Sequence, residues 1–143
     1  MRRSRLRQMT IFYADAAMGP RVCGEALVAA DGFSARYDLD RSRGVFSRPE
    51  HKLCGRSYLG RILVLDVAKG GVATAWMLHE MGARCMLPLA LVLNRVNPIM
   101  VQGAALAGLT LVSGFACDIT QRVRSGATVE IDPTAERPFL RIL

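Results

Sequence analysis

The sequence predicts one α/β domain, a strand-rich sheet or small barrel carrying two main helices. Three observations carry that expectation. The chain has 143 residues and 15.6 kDa, enough for a single core and too little for two domains. Apolar runs at 61–65, 88–93 and 109–112 alternate with segments of helical pattern at 72–81 and 98–107. Further strand signals flank that unit, one at 22–30 and two at 128–131 and 139–142. Composition agrees: 51% of residues are hydrophobic and 22% charged, which favours a packed core over disorder.

Taken in order, residues 1–20 read as a flexible basic lead-in that ends at Gly19-Pro20, and residues 21–143 as the domain. Gly24-Glu25-Ala26-Leu27-Val28 opens the first strand, and residues 33–37 are expected to pair with a neighbour. Asp38-Leu39-Asp40, with Arg41 to Gly44 after it, reads as a solvated polar turn before an extended Val45-Phe46-Ser47. In Arg61-Ile62-Leu63-Val64-Leu65, four consecutive apolar residues indicate a strand buried on both faces. Lys69-Gly70-Gly71 makes a tight turn into the first helix, which is expected to present Val72, Ala73, Trp76, Met77 and Glu80 on one face and to stop at Gly82. Asn97-Pro98 starts the second helix, with Asn97 as N-cap and proline at the first helical position, and Gly108 ends it. Asp132-Pro133-Thr134 turns the closing pair of strands.

The formal charge is +7, but Arg2, Arg3, Arg5 and Arg7 supply four of those charges, leaving 7 − 4 = +3 for the rest. A basic terminus on an ordinary domain is a poor argument for a nucleic-acid partner, and aromatics at 6% are too few for a base-stacking platform. The uncharged stretch 96–117 approaches membrane-spanning length, yet Asn97, Pro98, Gln102, Gly108, Ser113 and Gly114 break it, and a buried helix followed by a strand explains it better. The basic start imitates a signal peptide, but Asp15 interrupts the apolar segment, so a cytoplasmic chain is expected. Cys23, Cys54, Cys85 and Cys117 lie about thirty residues apart with no CxxC pair, so they are expected to be reduced, mostly buried thiols that hold no metal.

Chemistry concentrates at Leu65-Asp66-Val67-Ala68-Lys69-Gly70-Gly71-Val72. A buried strand ends there, two glycines turn the chain and a helix begins, so free amides and a lysine face an approaching anion. The alternative is a plain structural connection with a solvated lysine. The Walker order Gly-Lys-Ser/Thr and the GxGxxG fingerprint are both absent.

This segment is similar to the small, swivelling subunit of the aconitase X family of hydro-lyases. The similarity rests on Gly55 to Leu65 followed by Lys69-Gly70-Gly71, then on Pro88 to Val92, Asn97-Pro98-Ile99 and Gly103 to Leu109, with Gly24 to Val28 upstream and Val129 to Asp132 at the end. It implies a swivelling β/β/α fold and a larger partner subunit that holds an iron–sulfur cluster. It implies dehydration of a small hydroxy acid, such as phosphomevalonate or cis-3-hydroxy-L-proline, in a site over which this subunit closes. At the turn the family carries a basic residue, glycine and a serine that acts in proton transfer; here Lys69 and Gly70 match and Gly71 stands in the serine's place.

The expected substrate contacts are therefore Lys69, Gly70, Gly71 and Arg56, and the nearest replacement hydroxyl is Thr74, one helical turn beyond Gly71. His51 and His79 are weaker candidates. No cofactor is expected on this chain alone, and the expected partners are the large aconitase X subunit and the hydroxy acid, not nucleic acid or membrane. The competing function is a non-catalytic swivel-type module that binds a ligand or partner after losing the serine. A phosphohistidine-type swivel domain is disfavoured, because Ala73-Thr74-Ala75 stands where its histidine would be.

Overall fold

The computed structural model describes residues 10–143. Its strands are β1 (Thr10–Met18), β2 (Val22–Val28), β3 (Leu39–Asp40), β4 (Val45–Phe46), β5 (Ile62–Val67), β6 (Ala90–Arg95), β7 (Thr110–Phe115), β8 (Thr128–Asp132) and β9 (Phe139–Ile142). Its helices are α1 (Val72–Ala83) and α2 (Pro98–Ala107), and a 3-10 turn covers Ile119–Gln121. Seven strands close into a barrel in the order β1-β7-β6-β5-β2-β8-β9, while β3 and β4 form a separate hairpin. The expected α/β barrel with two main helices is thus the observed fold.

Strands β2, β5, β6 and β7 run parallel, because α1 and α2 carry the chain back between β5, β6 and β7. β1, β8 and β9 complete the ring antiparallel. Alternation along the strands builds two cores. Ile62, Val64, Ala90, Val92, Val112, Val129, Ile131 and Leu140 fill the barrel with Ala14 and Ala26. Leu63, Leu65, Leu91, Leu93 and Leu111 point outward and meet Leu78 and Met81 of α1 and Met100 and Ala104 of α2. A strand buried on both faces needs an unbroken apolar run, which is what β5 and β6 supply. Each fully buried leucine contributes roughly 1.5–3 kcal/mol.

Several expectations are corrected. Thr10–Met18, read as part of the lead-in, is a barrel strand that pairs with both β7 and β9. Its hydrophobic signal is weak because only Ala14 of the strand is fully buried, with Phe12 and Ala17 packing partly against the barrel core. The arginine-rich residues 1–9 lie outside the described residues. Of 33–37, Phe33 alone pairs, through a parallel bridge to Ala68. α1 runs past Gly82 to Ala83 and buries Thr74, Leu78 and Met81, so the face holding Val72 and Trp76 is the exposed one, at 62% and 65%. Cys23, Cys54 and Cys85 are exposed and Cys117 is half-buried, against the expectation of buried thiols. α2 matches its predicted bounds: Asn97 Oδ1 accepts the Met100 N–H at 2.8 Å, with Pro98 at the first position. Among the described residues, no helix is long and apolar enough to cross a membrane.

Candidate functional site

The turn after β5 stands where the parallel strands end. Lys69 is fixed at its backbone, donating its N–H to the Phe33 carbonyl at 2.8 Å, while Phe33 donates to the Val67 carbonyl at 2.9 Å. These bonds lay the segment 31–38 over the end of β5. Gly70 has φ of +91°, a left-handed conformation, and a Cβ there would stand 2.5 Å from Thr74 Oγ1 and 3.7 Å from Ser34 Oγ. Only glycine meets both demands. Gly71 caps α1 through its backbone alone, its carbonyl accepting the Thr74 and Ala75 amides at 3.0 and 3.3 Å. The amides of Gly70, Gly71, Val72 and Ala73 find no acceptor among the described residues. A run of unpaired donors at a helix start carries partial positive charge and suits an anion.

The Lys69 ammonium lies 3.7 Å from Asp38 Oδ2, with its side chain 42% exposed. Asp38 is no solvated turn residue; it is fully buried. Its Oδ2 accepts the Ser34 N–H at 2.9 Å and its Oδ1 accepts Arg48 Nε at 2.6 Å. The hydrogen bond to Asp38 holds the Arg48 guanidinium above its ordinary value. His51 is buried against Phe46, ring centroids 4.6 Å apart. Its Nδ1 accepts the Leu53 N–H at 3.0 Å, so Nε2 carries the proton and donates to the Gly32 carbonyl at 2.8 Å. Burial pushes the neighbouring Asp31 carboxyl up, but the hydrogen bonds from the Lys52 and Gly32 amides, with the Lys69 charge nearby, hold it net below its usual range.

The structure gathers Lys69, Gly70, Gly71 and Thr74 at one place. Thr74 is buried, its hydroxyl turned toward Gly70, whereas a Cβ at Gly71 would meet nothing within 4 Å. The missing serine thus leaves open space that Thr74 does not fill. Arg56 is exposed on the segment leading to β5, its backbone bonded to Phe46 and Leu53, and its side chain makes no hydrogen bond or ion pair among the described residues. His79 is exposed on α1 beside Trp76. The sequence did not single out Gly32, Ser34, Asp38 or Arg48 for the site; their partners stand up to 37 residues away (Gly32 to Lys69), and long-range backbone contacts such as the Phe33–Ala68 bridge bring them together.

The four cysteines are scattered over β2, the 51–55 loop, the end of α1 and the segment after β7, and among the described residues no three His, Cys, Asp or Glu side chains converge to hold an ion. The residues present therefore do not fit an iron–sulfur cluster.

A sequence profile of the aconitase X swivel domain matches residues 11–139. The phosphomevalonate dehydratase small subunit of Methanocella arvoryzae is 26% identical over 117 residues, 82% of this chain and 89% of that one. The phosphomevalonate dehydratase small subunit of Methanopyrus kandleri is 30% identical over 109 residues, 76% of this chain and 81% of that one. Among solved structures, Thermococcus kodakaraensis aconitase X in its holo form superposes with a TM-score of 0.85 at 21% identity, covering 94% of this chain and 99% of the other, a likeness of fold.

Proposed function

Because the chain belongs to the aconitase X swivel-domain family, we propose that it is the small subunit of a heteromeric dehydratase acting on phosphomevalonate. The observation that carries this reading is the match, over most of both chains, to relatives named phosphomevalonate dehydratase small subunits. The same match favours phosphomevalonate over cis-3-hydroxy-L-proline. The partner is a large aconitase X subunit, which holds the iron–sulfur cluster that this chain's scattered thiols do not fit.

In this reading Lys69 and the amides of Gly70 to Ala73 bind the substrate's phosphate or carboxylate. Closure of the large subunit over the turn excludes water and strengthens that contact. Arg56, exposed and without an ion-pair partner among the described residues, is a further contact to substrate or to the large subunit. Gly71 brings no hydroxyl, so proton transfer falls to Thr74, to a water in the space at Gly71, or to the large subunit.

The absent serine also favours a second reading, a swivel-type binding module without catalysis. Coexpression with the large aconitase X subunit of the same genome separates the two. The dehydratase reading expects a copurified pair that dehydrates phosphomevalonate and leaves cis-3-hydroxy-L-proline unchanged. A pair without hydro-lyase activity on either compound favours the binding module. Gly71→Ser refines the test, since the side chain fits the open space: a changed kcat marks position 71 as part of the proton path, and an unchanged kcat places that path elsewhere.

A further inference from the structure

We propose that Gly32 and Asp38 are positioning residues for Lys69, holding its ammonium ready for the anion before substrate arrives. The proposal rests on the anion-binding reading of the turn. Two independent contacts support it, one on the lysine's stem and one on its charge.

The stem lies flat on Gly32. A Cβ built there would come 2.7, 2.9 and 3.1 Å from Lys69 Cε, Cδ and Cγ, so three successive methylenes occupy the space that any side chain would take. The platform is itself pinned. The Gly32 N–H donates to Asp31 Oδ1 at 2.8 Å, and its carbonyl accepts the proton on His51 Nε2 at 2.8 Å. That assigns buried His51 a role in the site, as a neutral brace for the backbone under the lysine.

The charge is held by Asp38. At 3.7 Å its carboxylate attracts the ammonium without taking up its hydrogen-bond donors. Asp38 commits its short bonds elsewhere, to the Ser34 amide and to Arg48. Lys69 is therefore confined in direction while its protons stay available to a ligand. A lysine ordered beforehand loses its rotamer freedom on folding instead of on binding, which favours affinity.

The test uses the reconstituted complex of this chain with its large subunit, phosphomevalonate as the varied substrate, and Gly32→Ala, Lys69→Ala and their double variant. Gly32 is not among the left-handed glycines, so alanine suits its backbone and displaces only a flexible side chain. Gly32→Ala should leave Tm within about 3 °C. It should raise KM about tenfold, the size of one lost charge-assisted contact, with kcat within about twofold. The double variant should match Lys69→Ala, because both changes remove one interaction. An unchanged KM in Gly32→Ala beside a raised KM in Lys69→Ala overturns the positioning role while the anion reading stands. Defects that multiply in the double variant overturn it too. An unchanged KM in Lys69→Ala removes the anion reading and this proposal with it. Asp38→Asn keeps the shape and removes the charge, so it provides a second route should Gly32→Ala fail to fold. Its expected KM rise of about threefold should vanish in a Lys69→Ala background; persistence there contradicts the proposal.

Discussion

Asp38 and Glu130 are both buried carboxylates, 0% and 4% exposed, and both bind arginine, yet they belong to regions with different work. Glu130 sits on β8, flanked by Arg141 of β9 and by Arg21 just before β2. Its Oε1 accepts Nε and Nη2 of Arg141 at 3.0 and 2.6 Å, and its Oε2 accepts Arg21 Nε. Every bond stays within the barrel wall, and the network is closed. Asp38 draws instead on several segments, through the Ser34 amide, Arg48, His51 Nε2 at 3.8 Å and Lys69, whose half-exposed ammonium stands at 3.7 Å. Both carboxylates end on an accessible cation, Arg21 at 62% and Lys69 at 42% exposed; the arginines spend donors on Glu130 and tie the wall together, whereas Lys69 stands at 3.7 Å with its donors free for a ligand.

The sharpest way to break this contrast is to truncate each carboxylate. Asp38→Ala leaves the buried Ser34 amide without its acceptor and releases Arg48, and should cost about 3 kcal/mol, read as a lower urea midpoint. Glu130→Ala strands no backbone amide and should cost about 1–2 kcal/mol, since both Arg141, 28% exposed, and Arg21, 62% exposed, reach water. Equal losses would erase the distinction.

A smaller effect tests the Glu130 network by pH. The bonds from Arg141, opposed by desolvation and aided by Arg21, hold the Glu130 carboxyl below its ordinary value. A depressed folded-state value adds stability above the unfolded value of about 4.3. That stability is lost as pH falls through the folded value. The Tm gap between wild type and Glu130→Gln should therefore be widest near neutral pH and narrow below about pH 4. A gap that does not change between pH 7 and pH 3 would contradict a charged closed network.

The smallest effect expected is Gly71→Ser on stability. A Cβ at Gly71 meets nothing within 4 Å, so Tm should move by no more than about 2 °C. A large fall would show that the space at Gly71 is needed by the fold.

Those contrasts also show what the sequence could convey. β5, α2 and β9 were legible because each announces itself locally, by an unbroken apolar run, by Asn97-Pro98 with Gly108, and by an apolar segment after a turn. β1 was not, because only Ala14 of it is fully buried in a strand of mixed character. The turn at 69–71 was visible as strand, glycine pair and helix. Its support was not: Asp38 looks like part of a polar turn until a backbone bridge 30 residues downstream buries it beneath Lys69. Which face of α1 is exposed was not legible, because apolar side chains lie on both of its sides, Trp76 outward and Leu78 inward.

The central claim is that the turn at Lys69 binds the substrate's anionic group and does not merely connect β5 to α1. The most direct measurement is the phosphomevalonate KM of the reconstituted complex with Lys69→Ala, taken beside the Tm of the isolated variant chain. The account predicts a KM raised about tenfold or more with Tm within about 2 °C of wild type, since the side chain is 42% exposed. Wild-type KM and kcat from a folded Lys69→Ala complex would contradict it.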